Sequence, residues 1–329
     1  MIVTTPLPRL GFLGVGRIGR HRMDALARGG VAEVTAVADP QEEALEVATQ
    51  MAPEAARAES LEELLEHELD GVVIATPSAL HAEQAVTSLE RGLAVFCQKP
   101  LARNAEETRR ILRAARAADR LIAVDLFYRQ VEALRAAQRL IDDGEIGLVH
   151  SLDLIFHSPY GPDKPWFTNR ELSGGGCLID LGTHLVDLAL WLTGATEYEV
   201  ETARMLSLQG HEVEDQATAE LSLGDGVRAR LACSWFQSAG GECAFECTVW
   251  GTDGAVSVRN VGGSFFDFRA ELWRGISAEP LVEPPDAWSG RTIGAWAQQL
   301  TGDRHYDPAA DDLELVAEVI EDVYAKSGR

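Results

Sequence analysis

An apolar run, Leu10 to Val15, leads into Gly14-x-Gly16-x-x-Gly19, and Arg17 to Arg28 has the pattern of a helix. A strand, a tight glycine turn and a helix in that order leave little choice of fold. The first glycine permits the turn, the second lets another group approach the backbone, and the third lets helix and strand pack closely. Free N–H groups at the start of such a helix attract phosphate, so the turn reads as a dinucleotide cradle. Asp39 closes the next apolar run, Val34 to Ala38, where that fingerprint expects an acid for the ribose hydroxyls. Gly14, Gly16, Arg17, Ile18, Gly19 and Asp39 are therefore candidate cofactor residues. A carboxylate at 39 followed by Pro40 favours NAD, because it repels a 2′-phosphate. NADP stays open through Arg17 or Arg20.

Short apolar runs continue to alternate with helical stretches. Gly71–Ala75, Leu93–Cys97 and Leu121–Val124 read as strands, separated by helices at Ala79–Arg91 and Asn104–Ala118. That alternation predicts an α/β fold with a Rossmann-type doubly wound parallel sheet over residues 1–126. Beyond residue 127 the pattern changes. Strand-like runs at Val149–Phe156, Glu199–Leu208, Gln216–Leu223, Val227–Trp235, Cys243–Trp250, Val256–Arg259 and Phe265–Trp273 are separated in several places by glycine turns. Val227 to Cys233 alternates apolar and polar, as in a sheet with one wet face. Residues 127–329 are expected to form an α+β domain on an open, mainly antiparallel sheet, with a helical insertion near Ile179–Thr193. An amphipathic helix at 308–324 is open to packing back on the first domain.

The chain carries 29 basic and 52 acidic side chains, a formal charge of −23. Nucleic acid and anionic membrane are polyanionic, so neither is an expected partner. No apolar run approaches the ~18 residues of a membrane span, and Met1 to Arg9 has no secretory pattern. Five cysteines lack zinc spacing, which predicts no metal site, free thiols and a cytoplasmic home.

Of the 29 basic residues three are lysine, and Lys99 sits in an isolated Gln98-Lys99-Pro100 triplet. Unlike arginine, lysine can exchange a proton. Asp180 and His184 are spaced i, i+4 on one helix face. They follow Gly174-Gly175-Gly176, read as allowing a ligand close to the backbone, and lie among apolar residues where charge needs a reason. The loop Ser158 to Phe167 holds Tyr160 and Trp166 among three prolines and is a candidate wall for a substrate pocket, with Tyr128 and Arg129 as weaker contacts. Trp235, Phe236, Trp250, Phe265, Phe266, Phe268 and Trp273 fall on the late strands.

In order and spacing, Gly14-Val15-Gly16-Arg17-Ile18-Gly19, Ala75-Thr76-Pro77 with His81, Lys99-Pro100 and Gly174-Gly175-Gly176-x-x-x-Asp180-x-x-x-His184 resemble the motifs of the Gfo/Idh/MocA family. The resemblance spans essentially the whole chain. It implies hydride transfer between a nicotinamide and a secondary alcohol carbon of a sugar or cyclitol. Lys99, Asp180 and His184 would then serve the reacting hydroxyl as catalytic and substrate-binding groups, beside Tyr160 and Trp166. It places Thr76, Pro77, His81, Gln98 and Lys99 along the cofactor and implies a dimer or tetramer through the second domain's sheet. Redox-neutral, NAD-dependent glycoside processing and a non-catalytic dinucleotide or sugar sensor remain alternatives. One departure stands out. The family usually has glutamate where this chain has Gln98, and a neutral neighbour supports a lysine ammonium less than a carboxylate would.

Overall fold

The computed structural model describes residues 6–328. Met1 to Thr5, part of the stretch read for a secretory pattern, lie outside the described residues. The chain forms two compact units. The first runs to Asp125 and takes in Ser289–Glu314; the second is Leu126–Trp288 with the chain from Leu315 onward.

Among the described residues the first unit holds six strands: β1 (Arg9–Leu13), β2 (Glu33–Ala38), β3 (Ala56–Ala58), β4 (Gly71–Ile74), β5 (Ala94–Cys97) and β6 (Ile122–Val124). They pair in parallel in the order β3-β2-β1-β4-β5-β6. The order reverses between β1 and β4, and open α/β sheets bind ligands at such a reversal, outside the carboxyl ends of the strands. β4 and β5 are buried along their whole length, which explains their unbroken apolar sequences. The helix Arg291–Gly302 was not read from sequence. It contributes Ile293, Trp296, Ala297 and Leu300 to this unit's core. Their i, i+3, i+4, i+7 spacing was present, but glycines at 290, 294 and 302 broke the composition of a helix.

The second unit carries β7 (Val149–His157), β8 (Tyr198–Leu206), β9 (Gln216–Leu223), β10 (Val227–Ser234), β11 (Ala244–Gly251), β12 (Ala255–Asn260), β13 (Phe268–Arg274) and β14 (Ser277–Val282). Among the described residues these form one sheet in the order β14-β13-β12-β11-β7-β10-β9-β8, with β7 and β10 parallel and all other pairs antiparallel. Leu152, Leu154, Phe156, Leu231, Phe245 and Val258 face the core, while Asp153, Arg230 and Glu246 lie on the other face. β14 was missed for a physical reason: it is an edge strand, mostly exposed, with Pro280 inside it and no alternation.

Asn169 caps a short helical turn, and the chain then passes a π-helical turn, Leu178–Gly182, into the helix Thr183–Thr193. The whole stretch Arg170–Thr193 is long and apolar enough to span a bilayer, contrary to the sequence reading, yet 83% of its most apolar window is buried within the protein. It is the core helix of the second unit. Val316, Val319, Ile320 and Val323 of the last helix, Asp312–Ser327, join the same core.

Candidate functional site

In the first unit the three glycines of the turn separate into two kinds. Gly14 has φ +86°, and a Cβ there would lie 2.6 Å from the Ala75 carbonyl oxygen. A Cβ on Gly19 would lie 2.1 Å from the carbonyl oxygen of Gly14. Packing explains both. Gly16 is different: a Cβ there meets no protein atom within 4 Å, so nothing inside the fold requires glycine. It caps the helix Arg17–Gly29, whose first turn has no acidic residue and in which Arg17 and Ile18 are exposed. A bare backbone at a helix N-terminus fits a pyrophosphate.

The neighbouring groups hold this turn in shape. Asp39 accepts the N–H of Val15 on Oδ2 and the N–H of Gln41 on Oδ1, each at 2.9 Å. The Arg20 guanidinium donates to the Val15 carbonyl at 3.0 Å. After β4, Thr76 donates its hydroxyl to Gln84 at 2.6 Å, and Pro77 caps the helix Ser78–Glu90. His81 is 1% exposed, with its ring nitrogens 2.9 Å from the Pro100 carbonyl and 2.8 Å from the Thr76 carbonyl. Burial pushes its pKa below the ordinary histidine value. Its ring therefore ties the loop after β4 to the loop after β5.

Gln98 and the half-buried Lys99 follow β5. The Gln98 amide donates to Asp125 Oδ2 at 2.5 Å, and the same oxygen accepts Arg22 Nε at 2.5 Å. Arg22 is 4% exposed and Asp125 1%. Sequence reasoning missed this network, although one signal was available. Arg22 shares a helix face with the buried Gly19, Met23 and Leu26, an odd place for a cation.

In the second unit the triple glycine answers to packing within the protein, which corrects the reading that it admits a ligand. Gly174 ends its helical turn at φ +88°. A Cβ on Gly175 would lie 2.0 Å from the Tyr324 hydroxyl, and one on Gly176 would lie 1.9 Å from the Glu214 carbonyl oxygen.

Asp180 lies within the π turn and His184 at the start of the α-helix that follows it. Asp180 is half-buried and accepts the indole N–H of Trp235 on Oδ2 at 3.0 Å. His184 is 2% exposed, its ring centroid 4.7 Å from that of Phe127 and 4.9 Å from that of Tyr128. Single π turns inside helices often mark functional sites.

The two weaker candidates have internal roles. Tyr128 is fully buried and stacked on Phe245 at 4.7 Å, and burial pushes its hydroxyl pKa well above the ordinary range. Arg129 grips Asp187 with Nε 3.0 Å from both carboxylate oxygens. Tyr160 is 57% exposed. Its loop is tied to the end of β10 and the segment that follows, since the N–H of Ser158 donates to the Ser234 carbonyl and that of Gln237 to the Ser158 carbonyl, each at 2.9 Å. Trp166 stacks on Phe167 with centroids 3.8 Å apart. Among the described residues no three His, Cys, Asp or Glu side chains gather as a metal site.

Residues 9–126 match the oxidoreductase family with an NAD-binding Rossmann fold, and residues 134–257 match the GFO/IDH/MocA C-terminal domain. The rhizopine catabolism protein MocA of Rhizobium meliloti is 30% identical over 259 residues, covering 76% of this chain and 78% of that protein. Inositol 2-dehydrogenase of Rhizobium meliloti (strain 1021) is 29% identical over 257 residues, or 77% of this chain and 76% of that protein. The structure of a levoglucosan dehydrogenase with NADH and L-sorbose superimposes with a TM-score of 0.84 at 19% identity, over 98% of this chain and 97% of that one. The turn that fits a pyrophosphate, the acid at the end of β2 and these matches lead to one conclusion: the chain belongs to the Gfo/Idh/MocA family of NAD(P)-dependent oxidoreductases acting on sugars.

Proposed function

We propose that this enzyme transfers a hydride between a secondary alcohol carbon of a sugar or cyclitol and a nicotinamide, with Lys99, Asp180 and His184 as its proton-handling groups. The observation that carries the proposal is the placement of a half-buried Asp180 in the π turn and a buried His184 at the start of the helix that follows it, in an otherwise apolar core stretch. A bound nicotinamide supplies the hydride chemistry; the chain supplies position and proton transfer. In the oxidising direction His184 takes the hydroxyl proton, Lys99 hydrogen-bonds to the same oxygen, and Asp180 orients them. The roles of Lys99 and His184 are open to exchange. The assignment of Lys99 to that hydroxyl comes from the family's motif order. The names of the relatives, an inositol dehydrogenase and a levoglucosan dehydrogenase among them, support a cyclitol or sugar substrate.

NAD is the proposed cofactor over NADP. Asp39, fixed by two backbone N–H groups just after β2, offers a carboxylate that would suit ribose hydroxyls and repel a 2′-phosphate. Gly14, Gly16, Arg17, Ile18 and Gly19 would hold the pyrophosphate, and Tyr160 and Trp166 would contact the substrate. We also propose a homo-oligomer formed through the outer face of the second unit's sheet, and a reducing, cytoplasmic home for the five free thiols.

The test is to titrate the protein with NAD and NADP, then screen inositols, free sugars and glycosides for NADH absorbance. NADH from one cyclitol or sugar supports the proposal. Lys99→Ala and His184→Ala should each lower turnover by about 10²–10⁴-fold while leaving NAD affinity nearly intact. Wild-type turnover in either variant removes that residue from the mechanism. Tight NAD binding without NADH, but with sugar released from a glycoside, would replace this reading with a redox-neutral one.

A further inference from the structure

The dipeptide Glu214–Asp215, just ahead of β9, joins two pieces of the second unit that are far apart in sequence. Glu214 is fully buried. Its Oε1 accepts the N–H groups of Gly176 and Leu178, both at 3.0 Å, and the hydroxyl of Tyr324 at 2.7 Å. Its own carbonyl accepts the N–H of Cys177 at 2.9 Å. Three consecutive N–H groups leading into the π turn thus end on one residue. Such N–H groups lack partners within their own helix, and a carboxylate is the strongest acceptor a protein can offer them. Gly175 and Gly176 are what let Tyr324 and Glu214 come this close.

Asp215 makes the second connection. Its carboxylate is held by the N–H groups of Leu208 at 2.9 Å and Gln209 at 2.7 Å. Its carbonyl accepts the N–H of Trp235 at 2.8 Å. The Trp235 indole, 4% exposed, then donates to Asp180. Asp180 is therefore held twice: the Trp235 indole holds its carboxylate, and its N–H donates at 3.1 Å to the carbonyl of Gly176, whose own N–H Glu214 fixes.

We infer that Glu214 and Trp235 are positioning residues that fix the Asp180 carboxylate for its work on the reacting hydroxyl. The inference rests on the role proposed above for Asp180. At 0% exposure the Glu214 carboxylate accepts the Gly176 and Leu178 N–H groups, a task no apolar core side chain could perform. Trp235 is the sharper test because one N–H carries its role, and Trp235→Phe removes that group while keeping an aromatic ring.

The experiment compares wild type, Trp235→Phe, Asp180→Ala and the double variant, using NAD and the inositol or free sugar that gives NADH in the screen above. Trp235→Phe should lower kcat by about 10- to 100-fold, the scale of a misplaced reacting group, with NAD affinity unchanged. In the Asp180→Ala background it should add no further loss, since residues acting as one unit are not additive. Glu214→Ala should lose kcat in the same way, and Glu214→Gln should recover much of it because its amide oxygen can still accept the Gly176 and Leu178 N–H groups. Wild-type turnover in Trp235→Phe overturns the inference while leaving the proposed function standing. So does an equal further loss in the Asp180→Ala background, or a loss confined to NAD binding. Full turnover in Asp180→Ala, or no alcohol oxidised by the wild type, removes the functional reading and this inference with it.

Discussion

Gln98 stands where the family usually has glutamate, and the structure supplies a reason 27 positions along the chain. Asp125 already places a carboxylate against residue 98, and its Oδ2 takes both the Gln98 amide and the Arg22 guanidinium. An ionised carboxylate can only accept, so the amide must turn its nitrogen toward Asp125 and its oxygen away. A glutamate at 98 would set two carboxylates together in a nearly dry site, where they cannot both ionise. We predict that Gln98→Glu and Asp125→Asn each lower the melting temperature. The second leaves Arg22 buried beside a neutral amide, and breaking a buried ion pair costs about 3–5 kcal/mol. The double variant Gln98→Glu with Asp125→Asn carries one carboxylate and one amide again and should recover most of the loss. Thermal melts of the four proteins decide it, and losses that simply add would refute the pairing. The departure at 98 was legible in the sequence, but its cause was not. Nothing in a linear reading links position 98 to the end of β6 or to a buried arginine on the first helix.

Elements were most legible where periodicity and turn chemistry agreed, as in the strand–turn–helix of the nucleotide turn. They were least legible where a residue type had more than one use. The glycines show the difference. Six of them look alike in the sequence, at 14, 16, 19, 174, 175 and 176, yet five answer to backbone conformation or close packing and Gly16 to neither. The triple glycine was read as room for a ligand because Tyr324 and Glu214, which occupy that space, come from much later in the chain. The paired acids at 214 and 215 gave no sign of burial in a segment that otherwise reads as a loop. This division makes a prediction about the nucleotide turn. Gly19→Ala should destabilise the fold, because its Cβ would meet the backbone of Gly14, which cannot move without opening the turn. Gly16→Ala should melt at the wild-type temperature but bind NAD at least about tenfold more weakly, as a methyl group would stand where the pyrophosphate must approach. Melting curves paired with NAD titrations separate the two effects. Equal NAD affinity in Gly16→Ala would move the phosphate site elsewhere.

At the scale of the whole molecule, the alternation of strands sorts the late aromatics that composition had grouped together. Phe268 and Trp273 are five residues apart on β13 and face opposite sides. Phe268 is fully buried, and Trp235, past the end of β10, is 4% exposed. The other side carries Trp250 and Trp273, half-buried with centroids 5.9 Å apart, across the small Ala255 that pairs with both. The charges beside them are balanced locally: Arg230 with Asp153 at 2.6 Å, Arg259 with Glu271 at 2.8 Å. The two indole N–H groups donate to Asp153 and Glu271. A neutral, aromatic patch on a chain of formal charge −23 is a suitable surface for a second copy, but two such chains repel each other at long range. Salt screens that repulsion, with a Debye length of about 30 Å at 0.01 M and about 8 Å at 0.15 M, while burial of the tryptophans depends far less on it. The oligomer proposed for this face should therefore strengthen as salt is raised over that range, as read by sedimentation velocity. Trp250→Ala with Trp273→Ala should leave a folded monomer at both concentrations. An oligomer that falls apart as salt is added would mean that ion pairs hold it together, and a wild-type protein that is monomeric throughout would remove the interface.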